Sequence, residues 1–172
     1  MQDGVTDLFG LEIPSTSPVF LSIVGAHILV GLSAVIFGAV AIFSKKRRGQ
    51  HSRFGVWYYW AVVATTGTAA VLTVLRFNEN LDVMTLGVFC LVAVWFGRTA
   101  LRRRWPNWVR LHIAGMGLSY VLLLTAFYVE NGADLPLWDR LPAIAYWLVP
   151  GAIGLPIILF ALVFHPVARA SH

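Results

Sequence analysis

From Val19 to Phe43 the chain runs for 25 residues without one Asp, Glu, Lys or Arg. A helix needs about 20 apolar residues to cross a bilayer core, so this run reads as a membrane span. Four more apolar runs follow, and the predicted spans are 19–43, 54–75, 81–96, 108–129 and 141–164, the third being the shortest. Backbone in lipid must satisfy its own hydrogen bonds, which restricts such segments to helices or closed barrels. The expected fold is therefore all-α: a polytopic membrane protein, a bundle of five transmembrane helices forming a single transmembrane helical domain over residues 1–172. The composition agrees, since only 12% of residues are charged against about a quarter in soluble domains.

The formal charge of +5 would suit nucleic acid only if the basic residues formed one surface, and they do not. Most of them fall in two blocks, Lys45, Lys46, Arg47, Arg48 and Arg53, then Arg98, Arg102, Arg103 and Arg104, with Arg110 just inside the fourth span. Short basic loops mark the cytoplasmic side of a membrane. The alternate loops carry Arg76, Glu79 and Asp82, then Glu130, Asp134, Asp139 and Arg140, acidic on balance. This asymmetry predicts an outer N-terminus, a cytoplasmic C-terminus with Arg169, and a multi-pass place in the cell (inner) membrane. The expected partner is the lipid bilayer, together with a second copy or a partner membrane subunit, and no nucleic acid. Trp57, Trp60, Trp105 and Trp108 fit an aromatic belt at the inner interface, and Tyr128 and Trp138 one at the outer.

Before the first span, Asp3, Asp7 and Glu12 interleave with Val5, Leu8, Phe9, Leu11 and Ile13, a pattern that fits a short amphipathic helix in the headgroup layer or a frayed tail. The residues after Met1 lack the basic stretch of a cleavable signal peptide, so the first span is expected to remain. Small residues recur four apart, at Ser22 and Ala26, Ala34 and Gly38, and Gly115 and Ser119, where helices can approach closely. The fifth span holds Pro150, Gly151, Gly154 and Pro156, which should kink or open it.

Polar side chains inside the spans fall in two predicted layers. At ~1.5 Å per residue, His27 lies near the midplane with Thr65, Thr66, Ser119 and Tyr120, and a buried imidazole there is expected to face a hydroxyl. At the cytoplasmic rim His51, His112 and His165 end three helices at similar depth. Two imidazoles facing one another can hold a haem iron, and three can hold Zn²⁺ with an open position. His51, His112, His27 and His165 are thus the candidate cofactor ligands, and Thr66, Ser119 and Tyr120 the candidate midplane polar layer. With Cys90 as its one cysteine the chain has no internal disulfide and no Cys-rich metal site. Apart from Asp82 the spans offer no carboxylate as a general base, which disfavours a metal-dependent hydrolase.

Two boxes, His51, Arg53, Gly55 and Tyr58, then His112, Met116, Ser119 and Tyr120, resemble those of a bacterial family of predicted membrane proteins catalogued as a domain of unknown function. The resemblance covers about the first four spans. In that family an arginine usually follows the first histidine directly, whereas Ser52 intervenes here. More loosely, histidines spread over a four-helix membrane core resemble cytochrome b561-type proteins, which implies bis-histidine haem b and transmembrane electron transfer. A His-ligated haem or metal-binding redox component is therefore the expected function, and a small transporter, sensor or structural membrane subunit the alternative.

Overall fold

The computed structural model describes residues 6–8, 11–13, 17–45, 49–75 and 77–164, with side chains described from residue 17 onward except at 77–80. Expectations resting on His165, Arg169, Arg76 and the 46–48 cluster lie outside this set.

Five helices carry the fold: α1 (Pro18–Phe43), α2 (Gln50–Leu75), α3 (Phe77–Arg103), α4 (Trp108–Asn131) and α5 (Ala143–Phe164). Each contains a stretch long and apolar enough to cross a membrane. The helices outrun the predicted spans at five of the ten ends, and α3 most of all, ending at Arg103 rather than at residue 96. Long Arg side chains can reach the interface from a helix whose backbone is already in the membrane, so charge alone misplaces that end.

The amphipathic helix expected near the N-terminus is not found. Two three-residue strands, β1 (Thr6–Leu8) and β2 (Leu11–Ile13), pair antiparallel, with Thr6 opposite Ile13 and Leu8 opposite Leu11. The stretch before Pro14 is short for an isolated helix.

Helices consecutive in sequence pack against one another throughout, as short connections require. The α1–α2, α3–α4 and α2–α3 pairs are extensive, α1 touches α4 more lightly, and α5 packs chiefly on α4. The core is thus a four-helix bundle with α5 laid against its side. Ala34, Tyr58, Val62, Cys90, Val94 and Leu123 form its buried centre. The outer faces carry exposed Leu, Ile, Val and Phe, among them Leu29, Val92, Ile153, Ile157 and Phe160, as lipid contact demands.

Small residues decide the closest approaches. At the crossing of α3 and α4 a Cβ on Gly115 would lie 2.7 Å from the Gly97 Cα and backbone nitrogen, so neither position admits a side chain. The turn between these helices is tight, closed by Asn107 in the left-handed region at φ 58°, a conformation Asn tolerates better than most residues. On α1 the buried stripe is Ala34, Gly38 and Ala41, while Ser22 and Ala26 are exposed and make no such seam.

Of the expected kink or opening, no opening is found: the fifth helix is continuous through Pro150 and Pro156. Each proline removes one backbone donor, yet the flanking hydrogen bonds keep the helical path. Gly154 faces Val121 of α4 and Gly117 of α4 faces Ile158. The glycines therefore serve close packing of α5 on α4 and not an opening within it.

Candidate functional site

His51 stands in the first turn of α2 and His112 in the second turn of α4. Their ring centroids are 6.3 Å apart, with planes at 86°. The helix starts they occupy, and hence the two basic connections before them, lie at one end of the bundle.

Backbone carbonyls orient both rings. His51 Nδ1 is 2.8 Å from the Ala41 carbonyl in the last turn of α1, and His112 Nδ1 is 3.1 Å from the Gly97 carbonyl of α3. A carbonyl only accepts, so each Nδ1 carries a proton, and in a neutral imidazole so held the basic nitrogen is Nε2. The bare Gly97–Gly115 crossing brings α3 near enough for the second bond. This pattern, Nδ1–H on a carbonyl and Nε2 as the basic nitrogen, is the one that orients metal-ligating histidines.

The centre-to-centre distance of 6.3 Å can be set against that of two imidazoles opposed across one metal. A metal–imidazole nitrogen bond of ~2.0–2.1 Å puts each ring centre about 3.2 Å from the metal, and two opposed rings about 6.4 Å apart. The Nε of Arg110, two residues before His112, is buried without a hydrogen-bond partner among the described residues.

Two turns deeper the same two helices meet again. Tyr58 is 2.9 Å from Ser119 Oγ, and Ser119 Oγ donates to the Met116 carbonyl at 2.8 Å. With the serine proton so used, the Tyr58 hydroxyl donates to Ser119. Tyr58 is 2% exposed and Ser119 not at all. Cys90 Sγ donates to the Ser119 carbonyl at 3.1 Å. Tyr120 lies with its ring centre 6.1 Å from that of Tyr58, donates to the Val35 carbonyl at 3.1 Å, and fills the space where Gly38 has no side chain. The floor beneath the histidine pair is therefore tyrosine packed on glycine, and every hydroxyl in it ends on a backbone carbonyl.

The expected midplane layer does not gather at one point. His27 Nδ1 pairs with Thr68 Oγ1 at 2.8 Å, and the Thr68 hydroxyl itself donates back to the Thr65 carbonyl at 2.9 Å. Thr66 reaches the Gly87 carbonyl of α3 at 3.4 Å, and Ser119 belongs to Tyr58. The reason is helix length: with α1 ending at Phe43, His27 lies about 24 Å from the inner end of its helix and Ser119 about 17 Å from that of α4, at ~1.5 Å per residue. His27 does face a Thr hydroxyl, as an imidazole in lipid requires.

Sequence reasoning therefore places His51 and His112 together, and the structure joins them. His27 stands apart, and His165 lies outside the described residues. No group of three or more His, Cys, Asp or Glu forms a metal cluster among the described residues. Tyr58, Gly97 and Ala41 were not selected as site residues; the seven-residue step from His51 to Tyr58, matched by that from His112 to Ser119, was the available signal. Comparison with models of known protein families, with curated proteins and with solved structures returns no match for this chain.

Proposed function

We propose that this protein is a redox component of the cell membrane in which His51 and His112 hold a b-type haem at the cytoplasmic rim. The observation that carries this reading is the pair itself: two imidazoles from different helices, 6.3 Å apart, each oriented by a carbonyl bonded to Nδ1. When bound, a haem supplies reversible one-electron chemistry. The chain supplies the rest. Nε2 of each ring would be the donor atom, and the Ala41 and Gly97 carbonyls hold the ring orientations and raise imidazole basicity. Tyr58 and Tyr120 close the midplane side, which keeps any such group at the rim.

The same reading sets the N-terminus outside and the C-terminus in the cytoplasm, because the helix starts bearing His51 and His112 adjoin the basic connections. The transporter alternative drew on an opened fifth helix, and α5 is continuous. The resemblance to the cytochrome b561 architecture is consistent with the proposal at the level of fold alone.

The test is the absorbance spectrum, oxidised and reduced, of detergent-purified protein expressed with ample haem precursor, with metal analysis of the same sample. A Soret band is expected in the wild type and in His27→Ala, and is expected to vanish in both His51→Ala and His112→Ala. A haem-free wild type, or a band that survives both rim substitutions, would overturn the reading.

A further inference from the structure

A second feature lies outside the bundle core, on the lipid-facing side of the α1–α2 pair. An open groove of about 470 Å³ is lined by Val30, Ser33, Phe37, Trp57, Trp60 and Ala61. Its volume falls within the ~300–1,000 Å³ range of small-molecule sites, but its chemistry is almost wholly apolar. Ser33, the one hydroxyl of the lining, donates to the Leu29 carbonyl of its own helix at 2.7 Å and offers nothing to a polar ligand. From Val30 to Phe37 the groove runs about 10 Å along α1, at ~1.5 Å per residue.

Its cytoplasmic end is aromatic and cationic. Phe37 packs on Phe54 and Trp57, with ring centres 6.0 and 5.3 Å away. Arg53 lies one helical turn above Trp57 with its guanidinium carbon 4.5 Å from the ring centre. The guanidinium is exposed and makes no ion pair among the described residues. A guanidinium lying on an aromatic ring can still present N–H groups at its edge, in the fork geometry that suits phosphate.

We infer that this groove binds one anionic phospholipid, a stretch of acyl chain lying against Phe37, Trp57 and Trp60 and the headgroup phosphate paired with Arg53. Charge complementarity selects this occupant: an apolar channel in the membrane, ended at the headgroup level by an unpaired cation, matches a chain joined to an anion. The site is separate from the histidine pair and does not depend on a haem.

The experiment is native mass spectrometry of the full chain released from vesicles of equal phosphatidylglycerol and phosphatidylcholine. The wild type is expected to keep one phosphatidylglycerol per chain with about a five-fold preference, the scale of one basic side chain at an anionic surface. Arg53→Gln is expected to abolish the preference, and Arg104→Gln, whose guanidinium lies over Trp108 instead, to leave it unchanged. Val30→Trp, which fills the groove, is expected to reduce retention of both lipids. Thermal unfolding of each variant checks that it is folded. Soluble glycerol phosphate is expected not to displace the lipid, since it lacks the chain. Equal retention of both lipids by the wild type, marking an annular lipid only, would overturn the inference, as would an unchanged preference in Arg53→Gln.

Discussion

Tyr58 donates to Ser119 across the bundle in the same register in which His51 meets His112. Seven residues separate the two positions on each helix, two turns of an α-helix, so α2 and α4 run in the same direction with matching faces. These helices lie diagonally across the core and meet through long side chains. The histidine contact at the rim and the tyrosine–serine bond below it are consequently two rungs of one alignment.

The lower rung should show an asymmetry. Tyr58→Phe removes a donor while Ser119 keeps its bond to Met116, and should cost about 1 kcal/mol, the range of interhelical hydrogen bonds in membranes. Ser119→Ala leaves the buried Tyr58 hydroxyl without its acceptor and should cost more, about 1–3 kcal/mol. Reversible unfolding in mixed micelles reads both; a cheaper serine variant would mean the hydroxyl finds another partner.

The crossing of α3 and α4 should be intolerant of a single methyl. Gly115→Ala drives a Cβ into Gly97 backbone, which cannot rotate away, and should destabilise by about 1–3 kcal/mol or more. Gly25→Ala, where nothing lies within 4 Å, should be neutral or stabilising by up to about 1 kcal/mol. Because the His112 bond to Gly97 depends on this approach, Gly115→Ala should also weaken any haem retained at the rim, measured by dissociation to apomyoglobin.

Pro156 faces lipid in a continuous helix. Replacing it with Ala restores a donor for the Ala152 carbonyl and should stabilise the protein by up to about 3 kcal/mol, the usual cost of an interior helical proline. No gain in melting temperature would indicate that the backbone had already adapted.

The topology is open to a cysteine test. Cys90 is buried, so the native protein should label poorly with a membrane-impermeant maleimide. Asn107→Cys should label only when the cytoplasmic face is exposed, and Asp139→Cys on intact spheroplasts. The reverse pattern would invert the proposed orientation.

Much of this architecture could be read from composition. The absence of charge across long runs determined five spans, because lipid penalises ionised groups and unpaired backbone alike. Helix ends were harder: Arg98, Arg102 and Arg103 read as loop but belong to α3, since a long cationic side chain can be in water while its backbone is not. The pairing of His51 with His112 was legible from depth, since both sit near helix starts that must share one side. Ser119 and His27 were read as one layer because their depths were counted from opposite faces of a core taken as about 30 Å thick, whereas α1, at ~1.5 Å per residue, is about 39 Å long. The prolines of α5 did not open the helix, as a propensity rule describes the cost of a residue and not whether its neighbours can absorb it.

The equal seven-residue steps on α2 and α4 make the registry of these helices all-or-none. One residue inserted between His112 and Ser119 would turn everything beyond it by about 100°, the angle per residue of a 3.6-residue helix, so no rotation of α4 could restore both rungs together. An insertion of seven would restore the facing side but slide Ser119 about 10.5 Å along the axis from Tyr58, at ~1.5 Å per residue, so this stretch of α4 can change length only if α2 changes equally between His51 and Tyr58.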